Sequence, residues 1–340
     1  MKARIPSVAL LASLGATPLL AQPSTADCGA VDDMRFVCGQ EAPEDLVVLP
    51  GEQWVVASAY SGAGGIRLVR VEDGTSFMAY PAATAEETLD AETYPDCPGP
   101  PRGTFMTHGL SVLPGEGSVH KLFVVGHGDR ESIEILEVDT ASETPRVAWI
   151  GCAIAPDPIG LNSVRGLDDG GFVTTNFLPR GGERAAMMRM MQGETNGELW
   201  EWHTDSGWQK VPGSEAAGAN GVELSDGGGT IYMAAWGSQS FARISRGGTD
   251  VKRDEIPLGF RVDNIRWARD GSLLAVGQGT GENAQVWQVV KIDPDTLDVR
   301  EVTSVRNNDA FAAGTVAVEV GDDLWVGSFR GDRIAIVPAR

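Results

Sequence analysis

Seven side chains in this sequence could do chemistry together, although they are scattered over more than two hundred residues. Glu44, His108, Asn162, Asn220 and the pair Asp263–Asn264 each open a strand-like run at the same offset: ED-LVVLPGEQWVVAS, HGLSVLPGEGSVHKLFVVG, NSVRGLDDGGFVTTN, NGVELSDGGGTIYMAAW and DNIRWARDGSLLAVG. His127 ends the next apolar run after His108. Brought together, Glu44, Asn162, Asn220, Asp263 and Asn264 would present two carboxylates and three amide oxygens. An all-oxygen set of this kind suits Ca²⁺, which takes six to eight hard donors in flexible geometry, whereas zinc and copper favour His or Cys. His108 and His127 could form a pair in which one imidazole deprotonates a water and the other orients it or relays the proton. Asp263, if not fully engaged by a metal, could serve instead as base or nucleophile.

A lone Asn-Gly or Asp-Asn is an ordinary turn element, so the argument rests on shared phase. The polar residue always precedes the alternating strand. The Asp-Gly turns (DDG at 168–170, DGG at 226–228, RDG at 269–271) fall later in each unit. A sixth unit, GTVAVEVGDDLWVGS, starts at Gly314 without a polar opener. Six units of about 40–50 residues, each with several short strands, predict a six-bladed β-propeller of four-stranded antiparallel blades. The innermost strand of each blade lines the central channel, so residues at equivalent starts converge there, with a central metal site as the consequence. The sixth unit has three strands before the chain stops. A strand from the N-terminal lead-in is expected to complete it and close the ring, since an open ring would expose a sheet edge.

Two segments depart from the plan. Residues 80–104 form a long acidic, Pro-rich loop between units one and two. Residues 177–197 interrupt unit three with FLPRGGERAAMMRMMQGETNG, whose Met-rich middle predicts one or two helical turns and a lid-like insertion over the site.

Composition narrows the function classes. The net charge of −20 excludes nucleic acid as a partner, because a phosphate backbone demands a basic surface, and disfavours docking on anionic lipid. Residues 1–26 read as a signal peptide: Lys2 and Arg4, an apolar run, then small residues near Ala21 or Ala26. No stable membrane insertion is expected, and residues 27–340 form a single propeller domain, secreted or periplasmic. Four cysteines in an exported chain suggest two disulfides. Cys28–Cys38 with Cys97–Cys152 is the simplest pairing, and the other two remain open.

The segments TFMTHGLSV, LFVVGHGDRESIEILEV, GLNSVRGLDDGGFVTTN, AGANGVELSDGGGTIYMA and VDNIRWARDGSLLAVG resemble, in order, those of the paraoxonase/arylesterase family. APEDLVVLP resembles its first metal-binding segment and AGTVAVEVGDDLWVGS its last blade, so the resemblance spans most of residues 42–337. The wider group includes gluconolactonases and strictosidine synthases. The resemblance implies a six-bladed propeller with a catalytic Ca²⁺ in the channel. Glu44, Asn162, Asn220, Asp263 and Asn264 match its ligands, and His108 and His127 match the proposed histidine dyad. It also implies hydrolysis of lactones and aryl esters, with phosphotriesters for some members.

Three departures limit the transfer. The family's structural second Ca²⁺ uses an Asp beside the blade-three Asn. Here that residue is Ser163, which leaves a second ion at the remaining Asp45 in doubt. The family's disulfide from N-terminus to C-terminal strand has no partner, because no Cys follows Cys152. The Met-rich insertion replaces an aromatic lid segment, so substrate preference does not carry over. The expectation is a calcium-dependent hydrolase acting on a small-molecule lactone or ester. The alternatives are a noncatalytic ligand-binding propeller, a phosphotriesterase or gluconolactonase-like hydrolase with another substrate, and a condensing enzyme of the strictosidine-synthase kind, which is understood to work without the metal.

Overall fold

Strands in this chain are short, nearly all antiparallel and joined by Gly- and Asp-rich turns, and they assemble into six sheets arranged as the blades of a propeller. The computed structural model describes residues 29–182, 184–248 and 250–339. Blade one runs from Leu46–Val48 through Trp54–Ser58 and Ile66–Arg70 to Ser76–Tyr80, in sequence order from the channel outward. Blades three, four and five repeat this meander from Leu161–Gly166, Ala219–Leu224 and Arg261–Trp267, respectively. Blade six consists of Gly314–Val320, Asp323–Ser328 and Arg333–Pro338. Its fourth strand is Arg35–Cys38, which pairs antiparallel with the last one, Phe36 opposite Ala335. Ring closure is therefore a strand addition, as the three-strand count predicted.

Second strands are covered on both faces, by the blade before and the blade after. WVVAS (54–58) and FVTTN (172–176) are buried at every position. β-Branched and aromatic side chains suit such doubly covered strands.

Blade two differs from the expected four strands. The segment Glu86–Glu87, inside the long loop before it, adds a fifth strand parallel to Arg146–Ile154. The rest of that loop is pinned rather than free. Tyr94 is fully buried and stacks on Trp202 of blade three with ring centroids 5.7 Å apart. Cys97 is bonded to Cys152 on the outer strand of blade two. The other expected bridge involves Cys28, which lies outside the described residues, as does the whole 1–26 leader. Among the described residues no helix is long and apolar enough to cross a membrane.

The insertion at 177–197 carries one short helix, Arg184–Met190. Its anchor is Met190, fully buried. A Cβ on Gly218 would come within 2.8 Å of the Met190 sulfur, and one on Gly237 within 2.5 Å of its carbonyl oxygen. Glycine at those positions is what lets the insertion lie on the start of blade four.

The Cys97–Cys152 bridge closes a span of 55 residues, and restricting a loop of that length in the unfolded chain is worth up to about 4 kcal/mol. The paired change C97S/C152S is expected to lower unfolding free energy by about 2–4 kcal/mol. Urea titration without reductant measures this, and with reductant the wild type and the variant should share one midpoint.

Candidate active site at the hub

The shared offset noticed in the sequence has a backbone cause. In blades two to five the pairing of the innermost strand with its neighbour shifts register at one place. The breaks lie between Thr107 and Leu110, Leu161 and Val164, Ala219 and Val222, and Val262 and Ile265. They contain His108, Asn162, Asn220 and the pair Asp263–Asn264. An irregularity of this kind inserts an unpaired residue and bends the strand. Four blades use it to aim a polar side chain at the axis. Blade one supplies Glu44 just before its first strand.

The inner strands must approach one another closely for this to work. A Cβ on Gly109 would sit 2.4 Å from the Asn162 carbonyl oxygen, and one on Gly221 2.7 Å from that of Asp263. A glycine following the polar residue therefore lets neighbouring blades touch at the hub.

All five oxygen-bearing residues, and His108, are buried. Asn264 Nδ2 donates to Glu44 Oε1 at 2.7 Å, and the second carboxylate oxygen of Glu44 lies 3.4 Å from His108 Nε2. Asn162 Nδ2 approaches the same nitrogen at 3.5 Å. Asp263 Oδ2 accepts from Gln278 Nε2 at 2.8 Å. Burial pushes the Glu44 carboxyl well above its ordinary range, with the nearby Asp263 and Asp45 adding to it. Burial likewise moves Asp263 up to about 7, against hydrogen bonds from Gln278 and Asn220 that hold it down. Two carboxylates share a dry site, and each makes ionising the other harder.

Four oxygens there have no hydrogen-bond partner: Glu44 Oε2, Asn162 Oδ1, Asn220 Oδ1 and Asn264 Oδ1. Buried acceptors are almost always satisfied. Four orphans from four different blades, all belonging to the same set, form a cradle of hard donors that fits a Ca²⁺ ion. Among the described residues no group of three or more His, Cys, Asp or Glu is arranged to hold a metal. The hub set contains two carboxylates, and its other donors are amides.

The two histidines also meet. His108 Nδ1 lies 3.0 Å from His127 Nε2, and His127 Nδ1 lies 2.8 Å from Glu131 Oε2. An ionised carboxylate only accepts. Glu131 therefore accepts a hydrogen bond from His127 Nδ1–H, His127 Nε2 accepts one from His108 Nδ1–H, and His108 Nε2 is left basic and facing the hub. Burial, reinforced by His127, holds His108 well below its ordinary pKa, in the neutral form a base requires. Tyr60 covers the pair, its ring centroid 4.3 Å from that of His108, and is itself 37% exposed.

Sequence reasoning missed Glu131. It orients His127 and also accepts Leu161 N–H at 2.6 Å, which ties the dyad to blade three. Its position four residues after His127, across the turn GDRE, was the available signal. Gln278 was missed too, because a glutamine at the end of an apolar strand has no distinctive pattern. It links Asp263 to the carbonyl of Gly314 at 2.8 Å and accepts from Trp236 Nε1 at 3.0 Å. His120 and His203, given no role from sequence, lie elsewhere: His120 Nδ1 accepts from Gly115 N, and His203 pairs with Asp169 and Glu201.

Below the cradle the channel is plugged by charge. Asp45, fully buried, accepts from the backbone N–H groups of Leu46 and Leu110 at 2.8 and 2.7 Å and forms a very short ion pair with Arg266 of blade five. Arg266 also donates to the carbonyls of Leu110 at 3.0 Å and Ile265 at 2.8 Å. Both Asp45 oxygens are thus engaged by protein donors. Ser163 Oγ accepts from Val222 N–H at 3.3 Å.

Scanned against protein-family profiles, the chain matches none, and no curated protein matches it. Solved structures do. A gluconolactonase from Xanthomonas campestris aligns with TM-score 0.55 at 17% identity, covering 90% of this chain and 89% of that one. A luciferin-regenerating enzyme aligns with TM-score 0.56 at 13%, covering 88% and 92%. A PQQ-bound aldose sugar dehydrogenase from Streptomyces coelicolor aligns with TM-score 0.53 at 14%, covering 93% and 99%. At these identities the likeness establishes the fold alone. The resemblance to paraoxonases rests on the sequence segments and is not shown by these comparisons.

The Arg266–Asp45 pair is expected to hold the hub in shape. Arg266→Met strands a buried carboxylate and should lower stability by about 3–5 kcal/mol. The double change Asp45→Asn/Arg266→Met should recover a large part of that loss. Denaturant unfolding of the three proteins checks it, and a double variant no better than the single one would mean the pair's charge is not what matters.

Proposed function

We propose that this protein is a calcium-dependent hydrolase of lactones or aryl esters, exported from the cytoplasm. The observation that carries the reading is the set of four unpartnered, buried oxygens on Glu44, Asn162, Asn220 and Asn264, beside a histidine pair with a defined proton direction. Together with Asp263 these residues would hold the ion. When bound there, Ca²⁺ supplies Lewis-acid polarisation of a carbonyl oxygen. The remaining work falls to the chain itself. His108 Nε2 takes a proton from the attacking water. Its own Nδ1 proton moves toward His127 Nε2, and Glu131 stabilises the imidazolium so formed. Tyr60 limits water around the pair. Asp263 is the weaker candidate for the base, since it sits among the oxygen donors and is held by Gln278.

The fold shared with a gluconolactonase favours lactones among the substrate classes. A disulfide joining Cys97 and Cys152 suits an oxidising compartment, which supports export.

A panel of lactones, aryl esters and phosphotriesters, assayed after chelation and after calcium add-back, tests the reading. Turnover should disappear with chelator and return with calcium. Calcium at a hundred times its Kd should raise unfolding free energy by about 2.7 kcal/mol. His108→Gln should reduce kcat by about 10²–10⁴-fold while keeping the calcium-induced stabilisation. Full turnover in that variant removes His108 as the base. Calcium stabilisation with no turnover on any substrate points to a noncatalytic binding propeller instead.

A further inference from the structure

A cavity of about 580 Å³ opens beside the hub between blades four, five and six. It meets the site through Gln278, which lines it and hydrogen-bonds Asp263, and not through the histidines. Its walls include Trp236, Met191, Arg261 and Arg330. Met191 comes from the insertion after blade three, so that insertion builds part of the cavity.

The two arginines are unusual in a chain of net charge −20. Elsewhere in the ring the buried Arg266 pairs with Asp45 and the half-buried Arg130 with Glu134. Arg261 and Arg330 are within ion-pair distance of no carboxylate among the described residues. The guanidinium of Arg261 is stacked over the Trp236 ring, 4.2 Å from its centroid. One of its nitrogens donates to the Met191 carbonyl at 3.3 Å, and Nη1 is buried with no partner. Arg330 stacks over Phe329 at 4.8 Å. Asn307 and Asn308, also in the wall, spend their side-chain oxygens on the backbone N–H groups of Ala313, Ala310 and Phe311 at 2.9 Å. That leaves their Nδ2 groups as donors. Among the described residues Asp309 is the one carboxylate lining the cavity; against it the wall sets two guanidiniums and these amide donors, the guanidiniums held in place by aromatic stacking. Trp236 connects it to the hub, because Trp236 carries Arg261 on its face and bonds Gln278 at its edge. Forked guanidinium donors recognise compact oxyanions, carboxylate or phosphate, in bidentate geometry.

We infer that the substrate carries a compact anionic group, seated on Arg261 and Arg330, while its lactone or ester carbonyl lies at the hub. The inference rests on the hydrolase reading above and narrows it to anionic lactones or esters.

The experiment compares matched substrates. One arm sets γ-butyrolactone-γ-carboxylate against its methyl ester, measured at lactone opening. The other sets 6-phosphoglucono-δ-lactone against glucono-δ-lactone. The wild type should favour the charged member of at least one pair by tenfold or more in kcat/KM, and the arm that does so identifies carboxylate or phosphate. Arg330→Gln and Arg261→Gln should each cut that ratio by about ten- to a hundredfold, the range for a charge-assisted hydrogen bond. A wild-type ratio near one in both arms, or a ratio untouched by both variants, overturns the inference. Arg330 is exposed, so its variant decides the question even if Arg261→Gln fails to fold. Should no lactone, aryl ester or phosphotriester be turned over, the hydrolase reading fails on its own. Calorimetry with intact γ-butyrolactone-γ-carboxylate and 6-phosphoglucono-δ-lactone then decides. Binding weakened tenfold or more by Arg330→Gln supports an anion seat, and absence of binding by either compound rejects it.

Discussion

Oxygen atoms cannot be taken out of water without compensation, and the hub of this propeller takes out many. Two carboxylates and three amides are buried where blades one, three, four and five meet. An unpaired buried carboxylate is expensive, and four acceptor atoms in the set lack any protein partner. A second layer beneath them shows the same problem solved by protein alone. There the carboxylate of Asp45 is matched by the Arg266 guanidinium and two backbone N–H groups. The contrast between the satisfied layer and the unsatisfied one is what supports the proposal of a cation at the upper layer.

The ring geometry explains how such a site can be rigid although its parts are so far apart in sequence. The donors of blades three, four and five are placed by register breaks in their innermost strands, Glu44 stands just before the first strand of blade one, and each innermost strand is wedged between two others. Closure by Arg35–Cys38 on blade six removes the free edge that would let the ring spread. The groups proposed to seat the substrate, by contrast, stand on loops and strand ends: the insertion with Met191, and Arg330 after the second strand of blade six. The same scaffold carries a gluconolactonase, a luciferin-regenerating enzyme and a PQQ-bound sugar dehydrogenase, which is why fold alone cannot select the chemistry. The hub residues and the histidine pair are what favour hydrolysis.

Much of this was legible before any coordinates. The repeat and its turn residues specified blades, because alternation with period two is a local property of the chain. That Asn162, Asn220, Asp263 and Asn264 come together at the hub was legible because a recurring bulge leaves a recurring offset in sequence, and Glu44 stands at the corresponding place just before its strand. The pairing of Cys97 with Cys152 and the helical turn in the insertion were also anticipated. The fifth strand in blade two was not, since Glu86–Glu87 has no strand-like composition and is held there by the disulfide-tied loop around it. Gln278 and Arg266 escaped for a related reason. Each ends or follows an apolar run like many surface polar residues, and only the partner it meets reveals its role.

The sequence by itself determined six repeating units, the phase of the polar openers and the acidic character of the chain, because those depend on neighbours within a few residues. Tertiary structure decided which histidine nitrogen faces the hub, through Glu131. It also decided which buried oxygens lack partners and which arginines lack acids. Those are properties of groups from different blades meeting in space. No pattern along the chain records whether a distant side chain arrives to satisfy a charge.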